Sequence, residues 1–137
     1  MIVNKKPYNR ILTFGAFSPI HYGHISLFER IKKLCNELIV CCDDDEFIIK
    51  VKKNKPVFDF KIRCECVSAI KYVDIVDVQS LKFGKQEAVD KYHPDALAVG
   101  DDHRNDYTGE GLGVPVIYLQ RTKGISSTIL RDKARSS

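Results

Sequence analysis

The order of patterned segments predicts an α/β fold: a single Rossmann-like, doubly wound parallel sheet of about five strands with helices on both faces. Three observations carry this expectation. Five short apolar runs of strand length recur along the chain. Between them lie stretches whose apolar residues return every three or four positions, the helical period. The notable turns, after Phe14, after Val99 and after Leu119, each follow an apolar run. In a parallel sheet such turns share one edge, beyond the carboxyl ends of the strands, where ligands bind.

Residues 10–14 read as the first strand. Helical periodicity then runs from Ile25 through Leu27, Phe28, Ile31 and Leu34. Residues 37–42 form a continuous apolar run, the mark of a strand covered on both faces. Asp43, Asp44 and Asp45 close it and are expected to cap a short helix through Ile49. A lysine-rich connection occupies residues 50–56. Residues 59–72 read as helix, with Ile62, Cys66, Ala69 and Ile70 expected on its inner face. A strand over 74–78, a short helix over 85–92 and a buried strand over 95–99 follow, the last ended by Gly100-Asp101-Asp102. A glycine-rich loop at 107–113 leads to a final strand at 114–119 and a final helix at 126–134.

At 137 residues the chain suits one domain, with a core over 8–130 and tails at 1–7 and 131–137. No repeat, low-complexity tract or linker interrupts it. A composition of 44% hydrophobic and 29% charged residues is that of a soluble globular protein. No apolar run approaches the ~20 residues that span a bilayer, and the first seven residues lack the apolar core of a secretory signal. A cytoplasmic protein without membrane association is therefore expected. The net charge of +4, from 22 basic and 18 acidic residues, suits anionic small molecules. Without RNA-binding aromatic signatures or long arginine clusters, nucleic acid is not an expected partner. The five cysteines, Cys35, Cys41, Cys42, Cys64 and Cys66, include no C-x-x-C pair. They match no zinc-ligand spacing and no disulfide framework, and no metal-binding residues are expected. Cys41 and Cys42 fall on a buried strand, whereas Cys64 and Cys66 point to different faces of a helix.

The stretch after the first strand reads Phe14-Gly15-Ala16-Phe17-Ser18-Pro19-Ile20-His21-Tyr22-Gly23-His24. Two histidines spaced H-x-G-H at the mouth of a helix suit a triphosphate. The helix N-terminus offers backbone N–H groups to anions, and imidazoles add donors where negative charge grows. Gly15 and Ala16 carry little bulk and let the backbone approach phosphates. Read alone, the same residues are equally a strand–loop–helix joint with two surface histidines. Further on, Arg121-Thr122-Lys123-Gly124-Ile125-Ser126-Ser127-Thr128 combines an arginine fork, a tight turn and a hydroxyl run that can cap a helix while touching an anion. Beside H-x-G-H on one sheet edge, the anion-binding reading is favoured over a plain helix cap.

With these residues in place, the chain resembles the nucleotidyltransferase superfamily that carries the H-x-G-H signature, and most closely the glycerol-3-phosphate cytidylyltransferases. Four motifs appear in family order: Gly15-Ala16-Phe17-Ser18 with His21 and His24, Lys71-Tyr72-Val73-Asp74, Gly100-Asp101-Asp102, and residues 121–128. The resemblance covers nearly the whole chain. It implies transfer of CMP from CTP to a phosphorylated alcohol, most closely glycerol 3-phosphate, with Mg²⁺ bound through the CTP phosphates. It also implies a homodimer and a place in teichoic-acid or other surface-polymer synthesis. By the same resemblance, His21, His24, Lys53 and Arg121 are the catalytic group. Ala16, Phe17, Gly23, Gly100, Asp101, Asp102, Thr122, Gly124, Ile125, Ser126, Ser127 and Thr128 complete the nucleotide site together with them. Lys52 and Lys85 fall to the acceptor, and Arg63 to support of the site. A one-residue length difference blurs the lysine run, which also reads as a solvated basic loop. Lys85 likewise reads as an ordinary exposed helix residue.

Departures from the family pattern bear mainly on the acceptor. Ala16 stands for threonine, Ser18 for aspartate, Lys123 for glutamate, Lys71 for arginine and His103 for tryptophan, and Pro19 stiffens the turn. Phosphocholine, phosphoethanolamine or a sugar phosphate are alternative acceptors, and ATP is an alternative donor. A nucleotide-binding module without catalysis and a flavin-binding α/β module are the readings from other classes.

Overall fold

The computed structural model describes residues 5–100 and 111–120. Within them the chain runs β1 (Tyr8–Gly15), α1 (Tyr22–Lys32), β2 (Cys35–Asp43), α2 (Asp45–Val51), α3 (Phe60–Ser68), β3 (Ile75–Gln79), α4 (Lys85–Tyr92), β4 (Ala96–Gly100) and β5 (Val116–Leu119). All five strands are parallel, in the order β3-β2-β1-β4-β5. The connection through α4 carries the chain across β1 to the other half of the sheet. This makes the β1/β4 boundary the switch point, beside which ligands bind in sheets of this kind.

Strand alternation builds the core on both faces. Along β2, Leu38, Val40 and Cys42 join Phe28 and Ile31 of α1 and Val67 of α3. Ile39 and Cys41 point the other way, to Ala88 and Val89 of α4. β1 and β4 divide in the same manner, with Ile11, Ala96 and Ala98 on the first face and Leu12 and Leu97 on the second. Each fully buried large apolar side chain contributes about 1.5–3 kcal/mol, so residues such as Phe28 and Ile31, at 0% exposure, fasten α1 firmly. Where β1 meets β4, Thr13 Oγ1 donates to the Ala98 carbonyl at 2.7 Å, satisfying a buried hydroxyl.

Two expectations are corrected. The helix expected over 59–72 is only Phe60–Ser68, capped by the Asp59 carboxylate, which accepts from the Ile62 N–H. Its inner line is Arg63 and Val67, with Phe60, Cys64 and Ile70 packed beside them. Ile62 (43% exposed), Cys66 and Ala69 face outward. An arginine displaces isoleucine from the inner line because its guanidinium finds a full set of acceptors there. The expected final helix lies outside the described residues. So does most of the glycine-rich loop, of which Gly111 and Gly113 are seen at φ of 89° and 86°.

Candidate active site

The turn from β1 into α1 is shaped by an aromatic ring. Phe17 adopts a left-handed φ of 52° and folds its ring back over Gly15. A Cβ built on Gly15 would meet that ring at 2.7 Å, so the Phe17 ring itself requires glycine here. The Phe17 ring then packs edge-on against Phe28 at 5.5 Å and against His24 at 5.1 Å. Ser18, buried beyond it, accepts the Val57 N–H on Oγ at 2.7 Å and ties the turn to the segment entering α3.

The two histidines cap α1 reciprocally. His21, the N-cap residue, accepts the Gly23 N–H on Nδ1 at 3.0 Å, and His24 Nδ1 accepts the His21 N–H at 3.1 Å. Imidazole is a rare capping group, and it has a chemical consequence here. A ring that accepts on Nδ1 while neutral carries its proton on Nε2. Both rings therefore present N–H donors from their Nε2 atoms. Their centroids lie 3.9 Å apart at 31°. Burial holds the His24 pKa down to about 3, with repulsion from His21 as the lesser cause, and burial also lowers His21. Neutral donors, not imidazolium cations, line the helix mouth at physiological pH.

Arg63 braces this turn from α3. It is 1% exposed and donates to four oxygen acceptors: Nε to the Phe58 carbonyl at 2.9 Å, Nη1 to the Ala16 and Asp43 carbonyls at 2.7 and 2.6 Å, and Nη2 to Asp45 Oδ1 at 2.6 Å. One guanidinium thus fixes the ends of β1 and β2 relative to each other. The planar fork suits this task as an ammonium does not.

The three successive aspartates divide their work. Asp44 caps α2, its Oδ1 accepting the Phe47 N–H at 2.8 Å. Asp45 pairs with Arg63, at 2.6 Å. Asp43 is the last residue of β2 and fully buried, so its expected capping role is corrected: it faces Gln79, its register partner at the end of β3. Gln79 Nε2 donates to Asp43 Oδ1 at 2.7 Å, and Lys52 forms an ion pair with Asp43 Oδ2. Lys85 Nζ donates to Gln79 Oε1 at 3.1 Å and lies 5.0 Å over the Phe14 ring of β1. Burial lowers the Lys85 pKa, opposed by the Asp43 charge.

The structure therefore brings Ala16, Phe17, His21, Gly23 and His24 together at the end of β1, and Lys52 and Lys85 together across the ends of β2 and β3. Lys53 follows α2 in an exposed, left-handed conformation (φ 58°). Gly100 is the buried last residue of β4, in register with Leu119. Asp101, Asp102, Arg121, Thr122, Gly124, Ile125, Ser126, Ser127 and Thr128 lie outside the described residues. Sequence reasoning missed Asp43 and Gln79. Asp43 sits inside a run that reads as capping residues, and an isolated glutamine closing a strand gives no signal.

A turn of this form, at the switch point of a parallel sheet, invites comparison with known proteins. The cytidylyltransferase-like family profile matches residues 12–133. The chain belongs to the cytidylyltransferase-like family. The glycerol-3-phosphate cytidylyltransferase of Staphylococcus aureus (strain NCTC 8325 / PS 47) is 33% identical over 124 residues, spanning 90% of this chain and 93% of that protein. An FAD synthase of Thermococcus onnurineus (strain NA1) is also 33% identical, over 135 residues, 93% of this chain and 86% of that protein. Among solved structures, the lipopolysaccharide core biosynthesis protein from Thermoplasma volcanium GSS1 superposes with a TM-score of 0.71 at 24% identity. It spans 84% of this chain and 98% of that one and shows the shared fold. This cytidylyltransferase-like protein is an enzyme of the nucleotidyltransferase class. Among its described residues, no helix is long and apolar enough to cross a membrane.

Proposed function

We propose that this enzyme transfers CMP from CTP to a phosphorylated alcohol, glycerol 3-phosphate first among them, and releases pyrophosphate. The observation that carries the reading is the pair of neutral imidazoles whose Nε2–H groups share the helix mouth at the end of β1. An acceptor phosphate is ionised at neutral pH and needs no general base. Catalysis of its in-line attack on the α-phosphorus rests on positioning and on charge stabilisation. His21 and His24 are suited to donate to the phosphoryl oxygens as negative charge shifts toward the leaving group. Their depressed pKa values fit donors that do not exchange protons during the reaction. Lys52 and Lys85, tied to the ends of β2 and β3, are suited to receive the acceptor's phosphate.

Mg²⁺ is assigned to the nucleotide rather than to a protein cage. The nearby carboxylates Asp43 and Asp45 are already engaged by Lys52 and Gln79 and by Arg63. Carried in by the nucleotide, the ion would supply charge neutralisation of the leaving pyrophosphate. A homodimer in the cytoplasm completes the proposal, by resemblance to the family.

The FAD synthase relative, matched at the same identity as the cytidylyltransferase, supports a second reading: adenylyl transfer from ATP on the same site. A matrix of nucleoside triphosphates against phosphorylated alcohols and FMN, scored by pyrophosphate, separates the two. The first reading expects release with CTP and glycerol 3-phosphate at least tenfold above every ATP pair (roughly the effect of one 1.4 kcal/mol difference). Release only with ATP overturns it.

A further inference from the structure

We infer that Asp43 and Gln79 are a positioning pair that holds Lys52 and Lys85 as a two-pronged cradle for the acceptor's phosphate. The inference deepens the transferase reading above and rests on it.

The geometry is a four-membered relay across two strand ends. Lys52 meets Asp43 Oδ2; Asp43 Oδ1 accepts from Gln79 Nε2 at 2.7 Å; Gln79 Oε1 accepts from Lys85 Nζ at 3.1 Å. The orientation of the Gln79 amide is fixed from both sides, because a carboxylate only accepts and an ammonium only donates. Asp43 is 0% exposed and Gln79 2% exposed, whereas the Lys52 side chain is 38% exposed. The relay's anchors are thus buried and one of its cations reaches solvent.

Burying a carboxylate is costly unless its partners satisfy it. Lys52 pairs with the carboxylate directly and Lys85 is tied to it through Gln79, so these four side chains carry an excess of one positive charge, which suits an incoming phosphate. The exposed Lys52 ammonium has three N–H groups, so its contact with Asp43 does not exhaust it. Among the described residues, the groups that face Lys85 include Asp43 and Cys41 of β2, Lys52 beyond α2, Gln79 of β3 and Phe14 of β1. Of these, Asp43 favours the protonated ammonium and Lys52 opposes it, while burial is the largest influence and also opposes it. Without the Asp43 charge, the two ammonium groups would repel with no counter-ion between them, and Lys85 would lose its proton at lower pH.

The test is steady-state pyrophosphate release by the full-length chain carrying Asp43→Asn, with acceptor and nucleotide each varied. The acceptor KM is expected to rise about tenfold, with the nucleotide KM within about twofold of wild type. The alkaline limb of kcat/KM for the acceptor is expected to move to lower pH. Gln79→Met, which keeps the carboxylate but removes both amide contacts, is expected to shift the acceptor KM in the same direction by less. It carries the test should Asp43→Asn not fold. An acceptor KM that is unchanged or lower in the folded variants, or a parallel rise in both KM values, overturns the inference. If the wild type releases no pyrophosphate with any phosphorylated alcohol, the transferase reading fails instead. Calorimetric titration with inorganic phosphate then decides the cradle by itself: weaker binding by Asp43→Asn supports it, and equal binding or none by either protein overturns it.

Discussion

His24→Ala is expected to lower kcat roughly 10²–10³-fold while the nucleotide KM changes only a few-fold, the signature of a donor that matters most as charge develops. Steady-state kinetics by pyrophosphate release checks it. His24 lies against the Phe17 ring and receives the His21 N–H on Nδ1, so its Nε2–H direction is set before any substrate arrives. The same substitution removes one capping bond, which costs about 1 kcal/mol, and the variant remains folded for the measurement. A pH consequence accompanies it. Because the folded-state pKa of His24 lies near 3, below the unfolded value of 6.5, the unfolded chain binds the extra proton between those limits. Its contribution to stability is fully present above pH 6.5 and falls as pH drops through that window, by at most about 1.4 kcal/mol per pH unit. Wild-type thermal stability is therefore expected to fall more steeply below pH 6.5 than that of His24→Ala.

The second large effect belongs to Arg63. Arg63→Ala is expected to destabilise the fold by about 3 kcal/mol, the lower end for breaking a buried charge pair, since Asp45 remains 41% exposed and can rehydrate. Chemical denaturation measures this. Arg63→Lys restores a charge but not the fork that reaches Ala16, Asp43 and Phe58 together. Its kcat is expected to fall by about tenfold or more, because small misplacements of a site carry large rate penalties. Stability recovered without recovered turnover would identify Arg63 as a positioning residue for the β1–α1 turn. Equal recovery of both would reduce it to a structural one.

The strands were legible because burial on both faces demands unbroken apolar runs, as in Leu38 to Cys42, and the switch-point turn was legible because H-x-G-H is so spare a pattern. What the sequence concealed depends on tertiary pairing. Gly15 reads as a place where a backbone meets phosphate, and nothing in the sequence tells that its missing Cβ also accommodates a ring two residues away. Asp43, Asp44 and Asp45 read as one capping run, yet they point to Gln79, to the Phe47 N–H and to Arg63 respectively. The inner face of the 59–72 segment, where Ile70 packs as expected but Ile62, Cys66 and Ala69 do not, is hidden for the same reason. Hydrophobic periodicity favours Ile62, but a buried guanidinium with a complete acceptor set outranks it. Lysines 50 to 55 gave no distinction by composition, and only the relay through Asp43 sets Lys52 apart.

The most direct test of the account is ¹⁵N NMR of the imidazole nitrogens, with pH titration and addition of CTP. His21 and His24 are expected as neutral Nε2–H tautomers at pH 6.5, with His24 resisting protonation below pH 5 and both Nε2–H signals shifting when CTP binds. Nδ1–H tautomers, a His24 that titrates near 6.5, or imidazole signals indifferent to CTP would contradict it.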